Sequence, residues 1–288
     1  MSPRSALAPA KVNLFLHVGP VDADGYHPLA SLVAFADIGD RLEVVSAPKP
    51  SLSIEGPFAA ELAGGSDNLI LRALRRLGEA AGVGEPALAV RLDKRLPVAA
   101  GLGGGSADAG AALKLARDVL ALDLDDAALA EIAAAVGADG PMCLHARAAW
   151  VGGRGERLTF EPSLPPLPAL LVNPGVPSPT GAVYRGYDEG PPTAPDCPPP
   201  PVAWTPAAVI GWLGEQRNDL EAPAIALQPA IGAALAEVAD LPDVRLTRMS
   251  GSGATVFALF DAPGAARAAA QIMRARRPSW WIEPAILS

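Results

Sequence analysis

Leu96 to Gly110 reads LPVAAGLGGGSADAG, with four glycines in five positions (Gly101, Gly103, Gly104 and Gly105) directly before Ser106. Glycine lets a backbone take φ > 0 and come close to a ligand. The first N–H groups of a helix have no intrahelical partner and carry the positive end of its dipole. A glycine loop that opens onto a helix is therefore a cradle for phosphate. The plain alternative is a glycine-rich turn with Ser106 as an ordinary N-cap. Two common phosphate loops are excluded: no Gly-Lys-Ser/Thr ends the stretch, and Ser106 stands where G-x-G-x-x-G needs its third glycine.

The charge balance confines what else the chain can do. It carries 23 Lys and Arg against 31 Asp and Glu, a formal net charge of −8 over 288 residues. A nucleic-acid partner needs clustered cations, so none is expected, and positive charge near the loop must come from Lys11, Lys94 or Arg95. Cys143 and Cys197 form no C-x-x-C, and His17, His27 and His145 form no H-E-x-x-H. Neither a disulfide framework nor a protein-held transition metal is implied. No signal-peptide core and no apolar run near ~20 residues is present, so a reducing cytoplasm and no membrane partner are expected.

These residues need elements to hold them. Leu88 to Leu92 alternates as a strand into the loop, while Leu113, Ala116 and Leu120 recur at helical spacing after it. Pro9 to Val18 reads as a strand with Val12, Leu14, Leu16 and Val18 on one face and Lys11, Asn13, Phe15 and His17 on the other. That second face is either solvated or lines a cleft. Asp22 to His27 (DADGYH) is a turn presenting Tyr26 and His27. Asp40 to Val45 reads as a strand, and Asn68 to Ala81 and Leu129 to Val136 as helices. In the turn after Gly137, Asp139 read alone is a capping or turn residue. Seven of the eleven residues Pro191 to Pro201 are proline, which predicts an extended surface loop. Beyond it, the pattern predicts helices over Ile231–Val238 and Ala265–Arg276. Strands are expected over Val244–Met249, Thr255–Phe260 and Trp280–Ile282, with a tight SGSG turn at Ser250 to Gly253. The composition shift near Val151 to Pro162 divides the chain into domains 1–155 and 156–288.

Four segments combine in one order: PAKVNLFLHV with DADGYH, LPVAAGLGGGSADAG, GADGPMCL, and MSGSGATVFALF, with DNLILRA and NDLEAPA as further stretches. The chain thereby resembles the galactokinase, homoserine kinase, mevalonate kinase and phosphomevalonate kinase (GHMP) superfamily. The PAKVNLFLHV and ADGYH pair resembles the branch that acts on a cytidine diphosphate-linked methylerythritol. The resemblance implies an α+β fold with a ribosomal S5 domain 2-like N-terminal domain and a ferredoxin-like C-terminal domain. It also implies ATP with Mg²⁺, and phosphorylation of the substrate's 2-hydroxyl for isoprenoid precursors by the non-mevalonate route.

Site residues follow from the same resemblance. Lys11 matches the active-site lysine and Asp139 the catalytic aspartate. Pro97, Val98, Ala99, Ala100, Gly101, Leu102, Gly103, Gly104, Gly105, Ser106 and Ala107 match the ATP phosphate loop, with Asn68 and Lys94 near the nucleotide. Tyr26 and His27 match residues that recognise cytosine, Tyr184 an aromatic on its other face, and the SGSG turn a position near the substrate diphosphate. Asn13 shares the strand face of Lys11 and is expected at the substrate. Phosphoryl transfer passes through a loose transition state, so catalysis is chiefly positioning and charge stabilisation; this set suffices for it. A homoserine or mevalonate type kinase is the nearest rival, disfavoured by Tyr26 and His27, and a non-catalytic nucleotide-binding regulator is the other, disfavoured by Lys11 with Asp139.

Overall fold

The computed structural model describes residues 3–62 and 68–288; Asp67, the first residue of DNLILRA, lies outside them. The chain divides into two compact units. One is Met1–Ala10, Ile38–Val98 and Gly103–Ala146; the other is Lys11–Asp37, Ala99–Leu102 and Arg147–Ser288. The units are thus interleaved along the chain, where the sequence reading places one boundary after residue 155. The cause is strand length: β1 (Arg4–Val18) and β2 (Leu29–Ser46) pair with each other, and each runs from one unit into the other.

In the first unit, β3 (Ser51–Glu55) is followed by α1 (Ala59–Leu62), α2 (Leu69–Ala81), β4 (Leu88–Asp93), α3 (Gly104–Leu120), α4 (Asp126–Ala134) and α5 (Gly140–His145). β4 lies antiparallel to the end of β2, from Arg41 opposite Asp93 to Ser46 opposite Leu88. β3 lies parallel to β4 on its other side. Leu88, Val90 and Leu92 alternate into the core, as a half-buried strand should. Asn68 caps α2, its Oδ1 accepting the Ile70 N–H at 2.8 Å, and the stripe Ile70, Ala73, Leu74 and Leu77 is buried.

The second unit adds β5 (Ala149–Gly152), β6 (Arg157–Phe160), β7 (Leu167–Asn173), α6 (Thr180–Asp188), α7 (Pro206–Gly214), α8 (Glu221–Leu227), α9 (Pro229–Ala239), β8 (Leu246–Met249), β9 (Val256–Leu259), α10 (Pro263–Arg276) and β10 (Trp281–Leu287). β10 pairs antiparallel with β7 from Trp281 opposite Asn173 to Leu287 opposite Leu167. It is longer than the Trp280–Ile282 strand expected, because its partner, every residue of it buried, offers pairing along the whole edge. β9 pairs with β7 and with β8. Leu170, Val172, Val256 and Ala258 of this sheet are buried with Ile231, Ala234 and Val238 of α9 and Ala266, Ala270 and Met273 of α10. No single helix among the described residues is long and apolar enough to cross a membrane.

From Lys11 onward both faces of β1 are buried: Lys11, Asn13, Phe15 and His17 as well as Val12, Leu14, Leu16 and Val18. The solvated option for the polar face is therefore overturned, since alternation along one strand carries no information about a second covering layer. Part of the cover over His17 is the proline tract, which has neither helix nor strand. Prolines offer acceptors but no N–H donors, and side chains supply the donors. His17 Nδ1 donates to the Asp196 carbonyl at 2.8 Å and Trp212 Nε1 to that of Pro199 at 2.9 Å. Burial lowers the His17 pKa, keeping the ring neutral.

Candidate active site

The glycine loop does start a helix. Gly103, with φ 63°, is the N-cap of the 17-residue α3, and the Ala107 N–H closes the first turn onto the Gly103 carbonyl at 2.9 Å. The N–H groups of Gly104, Gly105 and Ser106 precede that bond and have no helical acceptor. Ser106 sits inside the first turn, so the alternative that made it the N-cap is wrong. A left-handed N-cap there requires glycine or a strained substitute.

Beneath this turn lies a buried charge cluster. Lys94, only 2% exposed, donates to Asp40 Oδ2 at 2.6 Å and Asp108 Oδ2 at 2.9 Å. Asp40 Oδ1 in turn accepts the backbone N–H groups of Arg95 and Leu96, which pins the segment entering the loop. Burial pushes the Asp108 carboxyl up to about 7, against the pull of Lys94. Lys94 itself is penalised by burial, but the two carboxylates outweigh that and raise its pKa. Asp108 Oδ1 is buried with no hydrogen-bond partner among the described residues. Sequence reasoning found neither aspartate as a partner of Lys94: Asp108 lies 14 residues from it and Asp40 lies 54.

Asp139 also lies in the first unit. It holds the N-cap position of α5 at φ −78° and ψ −4°, yet its side chain makes no capping bond. The α5 thiol of Cys143 lies 3.8 Å from the Gly103 carbonyl. A Cβ placed on Gly137, two residues before Asp139, would stand 3.8 Å from Ser106 Oγ. The GADG turn therefore packs against the start of α3.

The second unit gathers Lys11, Asn13, Ala99–Leu102 and the SGSG turn. Lys11 Nζ donates to Asn13 Oδ1 at 2.6 Å. Asn13 Nδ2 donates to Ser31 Oγ at 2.8 Å, and Ser250 Oγ accepts the Asn13 amide at 3.1 Å. The tetrapeptide is threaded between them: the Leu102 carbonyl accepts from the Lys11 N–H at 2.8 Å and that of Ala100 from the Thr255 N–H at 3.2 Å. Ser250 Oγ donates to the Gly101 carbonyl at 3.0 Å. Gly101 has φ 76°, and a Cβ there would collide with the Ser250 carbonyl oxygen, so the approach of loop to turn needs glycine. Asn13, expected at the substrate, is thus also the orienter of Lys11.

Tyr26 and His27 diverge. Tyr26 is exposed, with the Arg154 guanidinium carbon 4.7 Å from its ring centroid. The His27 ring lies 4.9 Å from that of Tyr184 and 5.6 Å from that of Tyr187. Its Nδ1 donates to the Gly19 carbonyl at 2.9 Å, and its Nε2 lies 3.5 Å from Asp188 Oδ1.

Residues 68–147 match the model of the GHMP kinases N terminal domain and residues 207–278 that of the GHMP kinases C terminal domain. The chain is 51% identical to 4-diphosphocytidyl-2-C-methyl-D-erythritol kinase of Caulobacter vibrioides (strain NA1000 / CB15N), covering 99% of each chain. It is 49% identical to the enzyme of that name from Dinoroseobacter shibae, covering 99% of this chain and 95% of the relative. A crystal structure of 4-(cytidine 5'-diphospho)-2C-methyl-D-erythritol kinase superposes with a TM-score of 0.79 at 35% identity, covering 99% of both chains.

Proposed function

The chain belongs to the GHMP kinases, in the 4-diphosphocytidyl-2-C-methyl-D-erythritol kinase family, and we propose that it transfers the γ-phosphoryl group of ATP to the 2-hydroxyl of that cytidyl substrate. It is an ATP-dependent small-molecule kinase of isoprenoid precursor biosynthesis with the two-domain α+β GHMP fold. The observation that supports the proposed chemistry is the packing of the GADG turn, on which Asp139 lies, against the start of α3.

In this proposal the N–H groups of Gly104 to Ser106 hold the ATP phosphates, with the remainder of Pro97 to Ala107 shaping the loop and Asn68 near the nucleotide. Asp139 accepts the hydrogen bond of the attacking hydroxyl and takes its proton as the bond to phosphorus forms. Lys11, aimed by Asn13, stabilises the charge spread over the transferred phosphoryl oxygens. Lys94 enters as a positioning residue rather than a nucleotide contact, since both carboxylates engage its ammonium out of solvent. Tyr26 supplies a stacking face for the cytosine, with His27 and Tyr184 beside it.

Mg²⁺ commonly takes one or two protein ligands plus phosphate oxygens and water. The Ser106 hydroxyl at the cradle would hold it, and it would neutralise phosphate charge. The division into 1–155 and 156–288 belongs to the same proposal as one of sequence families, supported by one family match falling in each, while the compact units interleave across it. So does a cytoplasmic location, supported by two unbridged cysteines.

ADP release measured with the cytidyl substrate beside homoserine and mevalonate tests the assignment. Turnover is expected with the cytidyl compound alone; preference for either of the others overturns it.

A further inference from the structure

Tyr26 is 58% exposed, yet its backbone is fixed. Its N–H donates to Asp22 Oδ1 at 2.9 Å, and its carbonyl accepts from the Asp22 N–H at 2.6 Å. Arg154 reaches this loop from the β5–β6 turn, which is itself anchored by the Leu29 N–H on the Gly153 carbonyl at 2.7 Å. Nη2 of Arg154 donates to Asp22 Oδ2 and to Asp24 Oδ2, each at 2.6 Å, and Nε donates to Asp22 Oδ2 at 3.0 Å. The same guanidinium lies over the Tyr26 ring. The Asp22 carboxyl is held below its usual range, first by the Tyr26 N–H and further by Arg154.

A ring has two faces, and here one of them carries a cation. Exposed ion pairs contribute little by themselves, but a planar fork that joins two carboxylates and covers an aromatic face fixes a geometry that a point charge would not. We propose that Arg154 is a positioning residue for substrate recognition: it holds the Tyr26 ring with a single open face, onto which the cytosine base stacks. Ordering the ring in advance removes part of the entropy lost on binding. The proposal rests on the reading of Tyr26 as the base platform, and Arg154 acts through Tyr26 rather than on the ligand.

The experiment is calorimetry of CDP and, separately, of a non-hydrolysable ATP analogue on wild type, Arg154→Ala, Arg154→Lys, Tyr26→Ala and the double variant Tyr26→Ala/Arg154→Ala, with steady-state kinetics on each. Arg154→Ala is expected to weaken CDP about 2- to 10-fold and to raise KM for the cytidyl substrate equally, with kcat and ATP affinity within about twofold of wild type. Arg154→Lys should recover part of the loss. In the Tyr26→Ala background, removing Arg154 should cost nothing more, because coupled residues are not additive. Wild-type CDP affinity in Arg154→Ala overturns the proposal, as does a parallel loss of the ATP analogue. An undiminished loss in the Tyr26→Ala background also overturns it, by showing direct action on the ligand. If Tyr26→Ala binds CDP normally, the platform reading itself fails and the proposal with it.

Discussion

Asp139 sits where a helix cap belongs and does not cap, since the N-terminus of α5 receives no side-chain bond from it. An Asp at such a position is usually kept for local hydrogen bonding, and Asp139 lies on the turn that packs against the start of α3. Asp139→Asn preserves shape while removing the basic carboxylate. It should lower kcat by ~10²–10⁴, the usual range for a lost general base, with ATP affinity and melting temperature close to wild type. Steady-state kinetics beside calorimetry and a thermal melt decide this. A lowered melting temperature with kcat intact would return Asp139 to the turn.

At the scale of elements, α3 depends on what lies under its first turn. Lys94 ties β4 to Asp40 on β2 and to Asp108 on α3, so three elements meet at one ammonium. Removing one partner of a buried ionic cluster leaves uncompensated charge and costs about 3–5 kcal/mol. Lys94→Met should show that loss in urea unfolding at pH 7. Asp108 already has a raised pKa, so the folded state holds its proton more tightly than the unfolded state and loses stability as pH rises toward 7. Without Lys94 the Asp108 carboxyl holds its proton to still higher pH, so the variant goes on losing stability where the wild type levels off, and its deficit should grow from about pH 7 upward. A deficit below about 1 kcal/mol, flat with pH, would show that water already solvates the cluster.

For the whole molecule, the interleaving of the two units governs cooperativity. Residues 147–288 pack with 11–37 and 99–102, and the buried Arg248 guanidinium donates to the Leu14 carbonyl at 2.7 Å as well as to Leu213 and Gln216. Burial lowers its pKa to about 10, still far above neutrality, so the charge needs those acceptors. Leu16 and Val18 also fill the core of that unit. Cutting the chain after residue 155 removes the Leu14 acceptor of Arg248 and the Leu16 and Val18 packing. Fragments 1–155 and 156–288, each purified alone, should lack a cooperative thermal transition by circular dichroism and should bind a hydrophobic dye. A sharp melt from the 156–288 fragment would show that its core closes without β1.

What the sequence determined by itself was whatever depends on near neighbours. The glycine loop and its helix were legible because φ > 0 and unpaired N–H groups are local properties. The helix beginning near Asn68, the Leu88–Leu92 alternation and the extended proline tract followed from the same kind of information, and the family followed from four motifs in order. Elements without a local signature went unread: β7, LPALLVN, is apolar on both faces and has no period to detect, and β10 takes its length from β7. The site was legible as residue types but not as partnerships. Only the tertiary structure decided that Asn13 holds Lys11, that Asp40 and Asp108 meet on Lys94, and that Arg154 lies on Tyr26. Those contacts join positions 54 and more than a hundred residues apart in the cases of Lys94 with Asp40 and Arg154 with Asp22. A charge or ring selects such a partner through the layers that bury it, which no spacing along the chain encodes.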